Sequence, residues 1–169
     1  MALDTTVGGA SADSYVTLAE YEAYVVANID LNFNGHGHDT THELNLRRAK
    51  QWLDRKRNWV GIAQYQTQTG AWPRITDELV DGWPINVDEI PQDIKDAQCE
   101  LAYQFEQNSL DPFATVSNGA TKITKSKAGP VETETEYATY RETPRIVAVE
   151  GLIAPYLKAG AGQVHMGRG

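Results

Sequence analysis

The sequence predicts a mainly α fold carrying one β-hairpin. Several segments repeat their apolar residues at helical spacing, and a late segment, TKITKSKAGPVETETEYATY, alternates with period two. The period changes after Pro112, so helices precede the ribbon, and a last apolar segment from Pro144 adds a C-terminal helix.

The clearest helix runs from Ile90 to Asn108, with Ile94, Ala97, Leu101 and Phe105 on one face. Pro91 suits its first turn, and Asn108, Ser109 and Asp111-Pro112 stop it. Asp93, Asp96 and Glu100 form an acidic stripe on the opposite face, a candidate surface for a basic neighbour. A first helix is expected from about Leu18 to Asn28, because Thr17 and Glu20 spell a capping box ahead of Leu18, Tyr21 and Val25. Residues 1–13 are small and polar and predict a flexible lead.

A second capping box, Thr40 with Glu43, predicts a helix with Leu46, Ala49, Trp52, Leu53 and Val60 toward the core. Its other face holds Arg47, Arg48, Lys50, Arg55 and Arg57, with Glu43–Arg47 and Lys50–Asp54 at i, i+4. That face is the candidate surface for DNA or for an acidic patch on another copy. Between the first two helices, His36, His38 and His42 lie beside Asp39 and Glu43, residue types that ligate zinc. The stretch is glycine-rich and polar, which gives ligands no fixed backbone, so a solvated surface without metal is expected. Trp72 and Trp83 each precede a proline, which holds them on stiff connections, and both read as plugs over the helical core.

A loop across Ala128-Gly129-Pro130-Val131 sets Lys127 opposite Glu132 and Lys125 opposite Glu134. Such a ribbon is marginal alone, so a neighbouring subunit is expected against it. Thr143 and Pro144 open the last helix, apolar at Ile146, Val147, Val149, Ile153 and Leu157, and Pro155 should kink or end it. The glycine-rich tail KAGAGQVHMGRG needs a partner to order.

The chain has 169 residues, which suits one domain with a helical body over 14–112, a hairpin arm over 121–138 and a C-terminal segment over 143–169. A formal charge of −8 excludes chain-wide attraction to nucleic acid or an anionic membrane, so any DNA contact is local. One cysteine, Cys99, allows no disulfide framework. The start of the chain lacks a basic and apolar leader, and no apolar stretch approaches the ~20 residues of a membrane span, so a soluble, unexported protein is expected. There is no phosphate-binding Gly-Lys-Ser/Thr loop, no glycine-flanked serine and no Cys with an obvious His partner. No enzyme and no cofactor are expected.

Taken in order, SYVTLAEYEAYV, RRAKQWLDRKRNWVGI, WPR at Trp72 to Arg74, IPQDIKDAQCELAYQF, the lysine/glutamate hairpin and LIAPYL resemble one family. It is the head-tail connector or adaptor family of tailed bacteriophages, some members of which are labelled DnaT-like single-stranded-DNA-binding proteins. The resemblance runs from Ser14 to Leu157 and implies a small antiparallel helical bundle with a protruding β-hairpin. It further implies a dodecameric ring of the chain beneath the portal, in the virion neck, joined to tail or tail-terminator proteins and surrounding the packaged DNA. Lys125, Lys127, Glu132, Glu134, Asp93, Asp96 and Glu100 are then candidates for the contact between subunits. Ile153, Tyr156, Leu157, Val164 and Arg168 are candidates for docking on the portal. The alternative is a single-stranded-DNA-binding replication accessory using Arg47, Arg48, Arg55 and Arg57; a metal-dependent enzyme at the histidines is the weakest reading.

Overall fold

A computed structural model describes residues 2–33, 38–56, 58–108, 122–128, 131–137 and 147–158. The chain divides into two compact units, Met1–Pro112 with Ile146–Gly169, and Phe113–Arg145.

In the first unit the helices α1 (Leu18–Asn28), α2 (Asp39–Asp54) and α4 (Val147–Ile153) all pack on α3 (Gln92–Asn108). The stripe Ile94, Ala97, Leu101 and Phe105 is buried as its spacing predicts, and Gln98, Cys99 and Ala102 are buried as well because α3 is covered on several sides. Fully buried residues such as Leu46, Leu53, Ile94 and Leu101 each contribute about 1.5–3 kcal/mol through removal from water. Helices α2 and α3 run antiparallel, since His42 approaches Glu106 at 3.3 Å while the Leu46 carbonyl meets Gln98 at 2.9 Å.

The ends of α1 follow from sequence alone. Thr17 Oγ1 accepts from the Glu20 amide at 3.2 Å, and Glu20 Oε2 accepts from the Thr17 amide at 2.7 Å. This capping box stabilises the helix by about 1 kcal/mol. Helix α2 departs from expectation. It begins at Asp39 behind His38, whose side chain makes no cap bond. Thr40 therefore lies inside the first turn, where the Asp39 carboxylate complements the helix dipole, and Glu43 reaches Arg47 at 3.5 Å.

The lead is tied down rather than flexible over residues 2–13. Asp4 accepts from Ser11 Oγ at 2.7 Å and from the Thr6 amide at 3.0 Å, and its carbonyl takes the Asp13 amide at 2.9 Å. These bonds hold the Asp4 carboxyl below its ordinary range, the Ser11 bond most strongly. Short polar residues that promise disorder in a sequence are here the donors and acceptors of a compact turn.

Two small hairpins follow α2. Strands β1 (Ile62–Ala63) and β2 (Arg74–Ile75) pair Ile62↔Ile75 and Ala63↔Arg74. Strands β3 (Leu79–Val80) and β4 (Trp83–Pro84) pair Val80↔Trp83 across Asp81-Gly82, whose φ values of 52° and 83° suit a two-residue primed turn. Trp72 is buried and meets Trp59 and Tyr156 edge-on, with centroids 5.6 Å apart in both pairs. Trp83 does not share that role: it is 76% exposed, because the β3–β4 turn carries it outward. Trp52 is half-buried against the core, with Lys56 Nζ 4.2 Å above its ring.

After α4 the chain tightens into a 3-10 turn, Ala154–Tyr156, where Pro155 ends the α-helix as expected. Leu157 then bridges to Trp59, and the Lys158 amide donates to the Asn58 carbonyl at 2.7 Å. The expected start at Thr143 and Pro144, and the tail beyond Lys158, lie outside the described residues.

The second unit holds β5 (Lys122–Ala128) and β6 (Val131–Tyr137), antiparallel, with Lys125↔Glu134, Lys127↔Glu132 and Ala128↔Val131. This is the register that charge matching predicts. The fold is mainly α with a β-hairpin and a C-terminal helix.

Candidate functional site

The α2 surface singled out for DNA is largely engaged within the chain. Arg47 Nε donates to Asp13 Oδ2 at 2.6 Å, which raises the Arg47 pKa, and Lys50 is buried with Nζ 2.8 Å from Asp54 Oδ2. Asp54 also accepts from the Ala71 amide at 2.8 Å and from the Tyr15 hydroxyl. Burial, and then Asp54, push the Tyr15 phenol far up, so it stays a neutral donor. Arg48 is half-buried and Arg55 exposed, and Arg57 lies outside the described residues. Of the expected basic face, Arg47 and Lys50 are thus engaged within the chain. Sequence spacing found the Glu43–Arg47 and Lys50–Asp54 pairs but not the Asp13 and Tyr15 partners, which come from far along the chain.

The acidic stripe of α3 is engaged too. Asp93 Oδ2 accepts from Tyr156 Oη at 2.9 Å, Asp96 from Gln92 Nε2 at 2.7 Å, and Glu100 from Gln104 Nε2 at 3.3 Å. All three are half-buried, and burial followed by the charges of Glu100 and Asp96 pushes Tyr24 up to about 12. Two expected portal anchors need correction. Ile153 and Tyr156 are 1% and 6% exposed, packed in the chain's own core, so they offer no outward apolar area; Leu157 is half-buried beside them. Burial and the Asp93 bond raise the Tyr156 phenol strongly. Val164 and Arg168 lie outside the described residues.

The histidine expectation is also revised. His42 is 1% exposed on α2, its Nε2 3.3 Å from Glu106 Oε1 and its ring 5.3 Å from that of Phe33. It is a core residue because its position on α2 turns it toward α3, whereas His38 is exposed and His36 lies outside the described residues. Among the described residues no group of His, Cys, Asp or Glu is arranged to hold a metal ion.

One surface feature was missed. A groove of about 430 Å³ opens beside β3–β4, lined by Val80, Trp83, Ile85, Ile90, Lys95 and Tyr156. Trp83 forms an exposed apolar wall, with Leu79 of the same hairpin 60% exposed. The signal was present in the sequence: Asp-Gly between Leu79-Val80 and Trp83 is a strong two-residue hairpin pattern. A groove with one exposed tryptophan wall is a candidate binding surface.

A family model described as "Putative DnaT-like ssDNA binding protein" matches residues 1–169. The chain belongs to that family. No curated protein and no solved structure matches it.

Proposed function

We propose that this DnaT-like family member is a non-enzymatic assembly protein: a subunit of a ring that joins a phage portal to its tail, in the virion neck, with DNA passing through the opening. The observation that carries the reading is the β5–β6 ladder, which sets Lys125 against Glu134 and Lys127 against Glu132 in a sheet of two strands. A ribbon of two strands is marginal by itself and gains most from edge or face contacts supplied by a neighbour. In the ring reading those contacts come from the next copy and set its register through charge. The order of segments that resembles phage adaptors points the same way, and portal and tail proteins are the partners that follow from it. Reversing Lys125 and Lys127 to Glu tests this: sedimentation should show the parent as a ring and the double variant as smaller species, most clearly at low salt. A double variant that assembles like the parent at every salt concentration rejects the ribbon as the ring contact.

The family description favours a second reading, single-stranded DNA binding, to which the exposed Trp83 lends a stacking surface. Its expected signature is oligonucleotide affinity that falls steeply with salt as phosphate contacts release counterions. The net charge of −8 and the internal pairing of Arg47 and Lys50 weigh toward assembly. Oligonucleotide binding with a steep negative salt slope, lost on Trp83→Ala, selects the second reading.

A further inference from the structure

We propose that the β3–β4 hairpin of one copy docks on the outward face of α2 of the next copy, an acidic and apolar tip against a basic and apolar helix. The inference rests on the assembly reading and deepens it by naming a second contact between copies, apart from the ribbon. Leu79 is 60% and Trp83 76% exposed, on strands joined by the tight Asp81-Gly82 turn, so the chain leaves both side chains uncovered. Asp77, Glu78 and Asp81 are exposed in the same stretch, and no lysine or arginine occurs between Ile75 and Glu89. Exposed apolar side chains accompanied by one sign of charge select a partner that is apolar and of the opposite sign. Nucleic acid has the wrong charge for such a tip.

The helical unit carries a surface of that description on α2. Leu44, Arg48, Trp52 and Arg55 recur at i, i+4, i+8 and i+11, which sets them along one side of the helix and its cap. Leu44 is 53% exposed, Arg55 is exposed, and Lys56 holds its Nζ 4.2 Å above the ring of the half-buried Trp52. The acidic residues of α2 fall elsewhere: Asp39 is opposite by spacing, while Glu43 and Asp54 lie 3.5 and 2.8 Å from Arg47 and Lys50. Tip and helix face are different patches of one unit, so the contact is head to tail. Each copy gives its hairpin to one neighbour and its α2 face to the other, and the chain of contacts closes into a ring if the rotation between copies allows. In the docked pair Trp83 and Leu79 leave water against Trp52 and Leu44, and Arg48 and Arg55 meet the acids of the tip.

Charge reversal on each side, followed by mixing, tests the pairing in the full chain. One variant carries Arg48→Glu with Arg55→Glu, the other Asp77→Lys with Glu78→Lys, and circular dichroism verifies that each is folded. Each alone sets like charges across the contact, so self-association measured by sedimentation at low salt should weaken by at least about tenfold. Mixed in equal amounts the two should recover the parent's assembly, because every junction between unlike copies again joins opposite charges. A third variant, Leu79→Ser with Trp83→Ser, alters only exposed side chains and keeps the test open if a charge variant misfolds; it too should weaken association. Folded variants that assemble like the parent overturn the proposal, and so does a mixture that shows no recovery. Loss of oligonucleotide affinity on Arg48→Glu with Arg55→Glu, with assembly like the parent's, overturns it in favour of nucleic acid on α2. A parent that stays monomeric rejects the assembly reading itself, whereas an assembling parent with indifferent variants rejects this contact alone.

Discussion

The helical unit supplies partners for most of its buried polar groups from within the chain, whereas the ribbon unit offers a two-stranded ladder whose strands pair, among the described residues, only with each other. Gln98 illustrates the first case. It is fully buried, accepts from the Tyr15 amide at 2.9 Å, and donates to Ser14 Oγ and the Leu46 carbonyl, each at 2.9 Å. Arg74 does the same at the surface of the core, donating to the carbonyls of Val60, Gly61 and Ala71 at 2.6, 2.9 and 3.0 Å. Gly61, at φ 64°, permits the close approach of β2, since an added Cβ would meet the Ile75 carbonyl oxygen at 2.1 Å. A unit closed in this way draws its stability from itself, whereas a two-stranded ribbon is marginal alone.

That division breaks most visibly at Gln98. Gln98→Leu leaves the buried Tyr15 amide without its acceptor and takes one donor each from Ser14 Oγ and the Leu46 carbonyl, and should cost about 3 kcal/mol in urea unfolding of the whole chain. A loss below about 1 kcal/mol would mean that water or a shifted lead replaces the amide, and the self-contained reading of the unit would fail.

Tyr15→Phe should cost less, about 1–2 kcal/mol at neutral pH, through loss of the bonds to Asp54 and the Trp72 amide. It should also change the alkaline limb of stability. The folded phenol sits far above its unfolded value of about 10, so its contribution is full below that pH and declines above it as the unfolded chain ionises. In the variant the decline above about pH 10 should be shallower by one proton, about 1.4 kcal/mol per pH unit. Identical alkaline slopes for parent and variant would remove Tyr15 from the titrating set.

The smallest expected effect sharpens the contrast from the other side. The Lys125→Glu, Lys127→Glu double variant should leave the thermal unfolding of the helical unit within about 0.5 kcal/mol of the parent even while it weakens assembly. A large fall in helical stability, measured by far-ultraviolet circular dichroism on unassembled protein, would show that the ribbon supports the helices and that the two units are not separate in energy.

Where a signal is local, it was legible in the sequence. The Thr17 capping box, the bounds of α1, the apolar stripe of α3, the stop at Pro155 and the Lys125↔Glu134 register each depend on residues a few positions apart, or on two short strands joined directly. The same locality explains the Glu43–Arg47 and Lys50–Asp54 pairs. Only tertiary structure decided that residues 2–13 close on Asp4, that His42 turns into the core beside Glu106, that Ile153 and Tyr156 serve the chain's own interior, and that Trp72 is buried while Trp83 is exposed. Composition ranks such residues alike. Gln98 and Gln92 are the same amide on the same helix, yet one is bonded to residues 14, 15 and 46 and the other is exposed, because burial is set by which surfaces meet across the fold. Gln98 is satisfied because distant parts of the chain bring it its partners, and that convergence is a property of the packed structure.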